Sequence, residues 1–229
     1  MSSLTFTVLD VFAEPYAAAP QLTARLRIED TSGQTVHAVA LRCQVRIEPQ
    51  RRAYDGDEER GLRSIFGERS RWADTLRPFL WMQCHTTVQG FTGVTEVDLA
   101  LPCTYDFDVT ASRYLHSLVD GTAPITLLFS GTVFTKGDSG FAVQQVPWDC
   151  EARYQLPVSV WRQMMDLYFP GTGWIRLDRD VLQKLSDYRT THGLTTWEET
   201  LERLLSADVS GGEGALAPPP PDSSGKGAR

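Results

Sequence analysis

Two stretches of this chain alternate apolar and polar residues one by one, and a period of two predicts strands with one buried face. In the first, Leu22, Ala24, Leu26 and Ile28 alternate with Thr23, Arg25, Arg27 and Glu29. In the second, Val39, Leu41, Cys43, Val45 and Ile47 are spaced by Arg42, Gln44 and Arg46. Turn-forming residues, Asp30-Thr31-Ser32-Gly33-Gln34, separate them, so the two read as a hairpin. Residues 4–12, 79–88, 94–101 and 105–109 alternate more weakly and read as further strands. Residues 125–134 differ, being apolar on both faces with Gly131 in the middle. That pattern predicts a strand covered on both sides, with a second layer close to the glycine. The turn at residues 136–140 then predicts that residues 141–146 pair back on it, and residues 148–154 read as a continuation past Pro147.

Helical spacing appears in other segments. Residues 51–71 carry eleven charges of both signs, and Asp57-Glu58-Glu59 can open a short helix through Leu62, Ile65 and Phe66, stopped at Gly67. Tyr114, Leu115 and Leu118 suggest a second short helix over residues 111–119. From Pro157 onward the period becomes helical throughout: Val160, Trp161, Met164, Met165, Leu167 and Tyr168 form one apolar face. Val181, Leu182, Leu185 and Tyr188 form the next, with Asp178 or Asp180 as its cap. The capping box over Thr195-Thr196-Trp197-Glu198-Glu199 introduces the last, with Trp197, Leu201, Leu204 and Leu205.

The predicted fold is therefore α+β: an antiparallel β-sandwich or open barrel of about eight to ten strands, followed by a three-helix C-terminal cap. The expected divisions are a β-rich body over residues 1–156, a helical cap docked on it over 157–206, and a tail over 207–229. The tail's Gly, Pro, Ser and Ala are too poor in apolar area to repay ordering, so it is expected to be disordered.

Composition narrows the function. The net charge is −7, which disfavours nucleic acid and anionic lipid as main partners. The first ten residues lack the basic and apolar regions of a signal peptide, and no run approaches the ~20 apolar residues of a membrane span. A cytoplasmic protein with reduced thiols is expected.

The residues that carry chemistry are scattered. Cys43, Cys84, Cys103 and Cys150 form no C-x-x-C pair, so each reads first as a small buried hydrophobe. His37, His85, His116 and His192 stand in no metalloprotease motif, and no G-x-S-x-G elbow nominates a nucleophile. Asp106 and Asp108 share a strand face and read as solvated carboxylates. Gly171 and Gly173 follow a helix, where a nucleotide loop would follow a strand. The six tryptophans are the richest set, placed either at the seam between sheet and helices or along an aromatic groove for a protein segment.

Several short stretches act together as a signature: residues 61–67, 76–81, 103–106, 129–134 and 147–149, then Trp161, Phe169-Pro170, Trp174 and Thr196-Trp197. On them the sequence resembles an uncharacterised, mostly actinobacterial family known only as a domain of unknown function, over residues 1 to about 206. The resemblance carries no catalytic residues. It implies genes beside those for uptake nickel–iron hydrogenases, hence an accessory role toward a hydrogenase subunit or maturation factor.

The leading expectation is a non-catalytic, cofactor-free binding module whose partner is a protein, with Trp161, Met164, Met165, Trp174 and Trp197 as groove lining. The alternatives are a metal carrier or enzyme using Cys84, Cys103, Cys150 and His116 assembled across strands, and a small-ligand pocket inside the sandwich.

Overall fold

A computed structural model describes residues 4–103, 110–137, 140–171 and 177–211. The predicted strand at 105–109, with Asp106 and Asp108, lies outside them, as do Trp174 and the tail from residue 212. The chain divides into two compact units between Ile175 and Arg176.

The first unit is an α+β body with two antiparallel sheets. Its strands are β1 (Leu4–Ala13), β2 (Gln21–Asp30), β3 (Thr35–Ile47), β4 (Phe79–Thr92), β5 (Val94–Pro102), β6 (Thr122–Gly137), β7 (Gly140–Gln145) and β8 (Glu151–Pro157). One sheet runs β1-β2-β5; the other runs β4-β3-β6-β7, with β8 also on β6. The 16-residue β6 is long enough to hold two short partners, β8 along residues 122–128 and β7 along 132–137. The turn between those partners leaves Trp148 95% exposed, so that indole covers no seam.

The expected hairpin between residues 22–28 and 39–47 does not form. β2 pairs with β1 and β5, whereas β3 pairs with β4 and β6. Alternation says which face of a strand is buried, but not which strand lies beside it. Here residues 31–34 carry the chain from one sheet to the other. Gly93, at φ 74°, does the same between β4 and β5, a backbone state that glycine adopts without cost. The apolar faces then meet: Leu22, Leu26 and Ile28 of one sheet enclose the same core as Leu41, Val45, Ile47, Ile125 and Leu127 of the other. Phe6 stacks on Phe129 across the core, with centroids 4.2 Å apart.

Three helices interrupt the strands: α1 (Gly56–Phe66), α2 (Trp72–Thr75) and α3 (Thr110–Ser117). Asp55 caps α1, its carboxylate accepting from the Asp57 and Glu58 amides at 3.0 and 2.9 Å. Leu62 and Phe66 face Tyr114 and Leu115, forming a side core with Trp72 and Phe79.

The helix α4 (Val158–Tyr168) belongs to this body, which corrects the expected boundary at residue 157. Its Trp161 and Met164 are core residues, and the Tyr168 hydroxyl donates to the Glu14 carbonyl at 2.6 Å. Only α5 (Arg179–Thr191) and α6 (Trp197–Gly211) make up the described part of the second unit. The three helices expected after Pro157 thus all form, the first as part of the body, and α6 continues to Gly211, into the segment expected as tail from residue 207.

Candidate functional site

Four places in the structure concentrate chemistry, and each is built by a different local rule. The first lies under α1. Arg52 and Glu58 form a part-buried ion pair. Arg52 also donates to the carbonyls of Thr122 and Asp120 at 2.9 and 2.8 Å, and Glu58 accepts from the Val119 amide at 2.8 Å. Beside them the Tyr54 hydroxyl donates to the Pro49 carbonyl at 2.7 Å, which leaves the Tyr114 hydroxyl to donate to Tyr54 at 2.9 Å. Every charge has a protein partner, so the cluster ties α1 to the loop before β6 and leaves nothing for a substrate. Burial pushes the Tyr114 hydroxyl up to about 12 and raises that of Tyr54 as well. A phenol whose folded pKa is raised contributes stability in full below its unfolded value of about 10 and loses it as pH rises through the folded one. Absorbance titration is therefore expected to find the Tyr54 and Tyr114 hydroxyls still largely protonated at pH 11 in the native state, with stability falling from pH 10 upward. Replacing Tyr54 by Phe should remove one of the two late phenols and cost about 1–3 kcal/mol, because the Tyr114 hydroxyl loses its partner.

The second place is the outer face of the five-stranded sheet. Ala40 and Ser130 are small, so a groove of about 530 Å³ opens there, edged by Arg42, Gln44, Gln83, His85 and Thr87. Register sets Arg42 opposite Ser130 on one side and His85 on the other. Ser130 and His85 are then two strand spacings apart, about 9–10 Å, which is beyond the reach of a base toward a nucleophile.

The third place is sulfur. Cys43 and Cys84 are direct cross-strand neighbours on the inner face, 1% and 7% exposed. The Cys84 thiol donates to the Cys43 carbonyl at 3.7 Å, and the two thiols titrate as interacting neighbours. Once one thiol ionises, the other donates to it. That contact lowers the Cys84 thiol, and it holds Cys43 well up, with burial adding to the effect. Cys103 and Cys150 bond separately to the carbonyls of Leu101 and Leu4, at 3.4 and 3.5 Å. His116 lies exposed on α3. The structure therefore does not bring Cys84, Cys103, Cys150 and His116 together. Among the described residues no three His, Cys, Asp or Glu side chains are placed to hold a metal ion. The register partner of Cys84 is Cys43, which sequence reading left out of the metal set.

The fourth place is the helical pair. Among the described residues α5 buries no side chain, although Val181 and Leu182 are apolar. On α6, Leu201 is 42% and Leu205 70% exposed, and both edge a shallow depression of about 600 Å³ with Leu204 and Ala207. The start of α6 is firm: the Glu199 carboxylate accepts from the Thr195 and Thr196 amides at 2.9 and 3.2 Å, and the Thr196 hydroxyl accepts from the Glu199 amide at 3.1 Å. Those bonds hold the Glu199 carboxyl below its ordinary range, the Thr195 amide contributing most. Arg189 lies over the Trp197 ring at 4.2 Å, joining the two helices at that end.

The five expected groove residues thus part company. Trp161 and Met164 are interior, against the expectation, because α4 packs its apolar face on β1 and β2. Trp161 meets Trp81 edge to face at 6.2 Å. Met165 is partly buried against the same core. Trp197 is exposed under Arg189, and Trp174 lies outside the described residues. Leu201 and Leu205, which continue the Trp197 stripe, are exposed and were not singled out as site residues.

These features define a two-sheet α+β protein with a small helical unit on which Val181, Leu182, Leu201 and Leu205 are exposed. The chain belongs to the Family of unknown function (DUF6084), whose model matches residues 1–212. No curated protein matches the chain. Two solved structures of a β-glucosidase from Kluyveromyces marxianus, one of them with glucose, are each 6% identical to it, with TM-scores of 0.25 and 0.26. They cover 67% and 68% of this chain, which spans only 15% of theirs. Among the described residues no helix is long and apolar enough to cross a membrane.

Proposed function

We propose that this protein is a non-catalytic binding module that captures a protein partner through the apolar stripe of α5 and α6. The observation that carries the reading is the uncovered row of Leu201 and Leu205, with Val181 and Leu182 exposed on the neighbouring helix. Large apolar side chains in a periodic row on a well-capped helix suit a partner's own apolar helix or groove. In this reading the partner is a nickel–iron hydrogenase subunit or maturation factor, the class that the family resemblance implies.

The test is a pair of charges. Leu201→Glu with Leu205→Glu should weaken partner capture by roughly tenfold or more, equivalent to about 1.4 kcal/mol, because each places a carboxylate in an apolar contact. The same variant should stay within about 0.5 kcal/mol of the parent in stability, since both positions are already exposed. Capture that survives both charges would remove the helical pair from the reading.

A further inference from the structure

We infer that Cys43 and Cys84 form a thiol modification site that closes to an intramolecular disulfide when a small disulfide oxidant is present. The argument starts from main-chain geometry. On β6 the Phe129 amide donates to the Cys150 carbonyl at 3.0 Å, and the Gly131 carbonyl accepts from the Val146 amide at 2.9 Å. Odd residues of β6 therefore bond away from β3, and even ones bond toward it. Leu128 and Ser130 pair with Gln44 and Arg42, so even residues of β3 bond to β6 and odd ones to β4. Cys43 and Cys84 consequently occupy a hydrogen-bonded cross-strand position, where Cα atoms stand about 5.5 Å apart. That Cα spacing lies within the range of protein disulfides, and closing the bond draws the Cβ atoms in from about 5.5 Å to about 4 Å.

Three further observations fit. Both side chains point to the same inner face, so the bond closes with a local adjustment of two adjacent strands. The remaining two cysteines are bonded elsewhere, to Leu101 and Leu4, and do not compete. Among the described residues β4 pairs within its sheet with β3 alone, so local opening of this edge exposes Cys84 before Cys43.

The chemistry balances as thiol–disulfide exchange. The Cys84 thiolate attacks one sulfur of a small disulfide and expels one thiolate, leaving a mixed disulfide on Cys84. Cys43 gives up its proton to that leaving thiolate and attacks the Cys84 sulfur. The second small thiolate leaves and takes up the proton first lost from Cys84. Two protein thiols are oxidised and one small disulfide is reduced to two thiols.

The bond would join residues 41 apart in sequence and close a loop holding α1 and α2. Loop closure of that length stabilises the folded state through the unfolded one, so Tm should rise by roughly 5–10 °C.

Full-length protein is incubated with oxidised glutathione, free thiols are alkylated, and peptides are mapped without reduction. The expected products are a linked Cys43–Cys84 peptide pair, alkylated Cys103 and Cys150, and the Tm rise. In Cys43→Ser the reaction should halt at glutathionylated Cys84 with no Tm rise. Should that variant fail to fold, the parent's peptide map still decides. Linkage formed only after denaturation, linkage to Cys103 or Cys150, or two unreacted central thiols beside modified outer ones would each overturn the inference.

Discussion

Gly131→Ala is expected to destabilise the body by about 3–5 kcal/mol, a large share of a typical domain's stability. Gly131 sits in the middle of β6 at φ 143°, a backbone state that side-chain-bearing residues rarely adopt. An added Cβ would press into the Ala40 carbonyl oxygen, with the Ala40 carbon 3.1 Å and the Leu41 Cα 3.2 Å away. All three are main-chain atoms, so no side chain can swing aside. The strand cannot retreat either. β3 holds it on one edge, and on the other the Gly131 carbonyl accepts from Val146 at 2.9 Å. Urea unfolding followed by circular dichroism measures the cost. Gly56→Ala is the control, because it opens α1 at ordinary φ with nothing within 4 Å, and it should change little. A Gly131→Ala protein within about 1 kcal/mol of the parent would show that the two strands are not in this register.

Glu58→Ala should be nearly as damaging, at about 3–5 kcal/mol, because it strands the Arg52 charge in the interior. Glu58 is 3% exposed at its side chain and Arg52 13%, so little water reaches the guanidinium to replace the lost carboxylate. The Val119 amide loses its acceptor at the same time. Removing both charges should cost less than removing one: Arg52→Met with Glu58→Leu is expected to recover part of the loss, since no lone charge remains. Denaturant midpoints of the two single variants and the double variant give the coupling directly. Strict additivity would mean that the pair does not act as a unit.

Much of the fold was legible in the residues, and the limits of that legibility are physical. Strand faces follow from alternation, so Leu22 to Ile28 and Leu41 to Ile47 were read correctly as buried rows. Their partners were not, because period-two patterning carries no information about neighbours. Residues 31–34 look like any tight turn, yet they pass the chain between sheets. The helix α1 was legible from Asp57, Glu58 and Glu59 in its first turn, and Gly67 marks its end. The Arg52–Glu58 pair was hidden in a charge-rich stretch, since sequence does not say which of many charges is buried.

The site was less legible than the fold. Trp161 and Met164 carry a binding surface's composition, yet they lie on the buried face of α4. An apolar stripe on a helix looks the same whether it meets a core or a partner. What distinguishes α6 is that Leu201 and Leu205 stay 42% and 70% exposed. The Cys43–Cys84 contact depends on a register that closes over 41 residues, beyond any local pattern.

Site-specific photocross-linking in the native host tests the binding reading most directly. A photoreactive residue is placed in turn at Leu201, at Leu205, and at Gln83 and Thr87 on the outer sheet face. The account predicts one discrete adduct with a second, different protein from the two helical positions, and none from the sheet. Adducts from Gln83 or Thr87 alone, or no adduct from Leu201 and Leu205 at native expression, would contradict it.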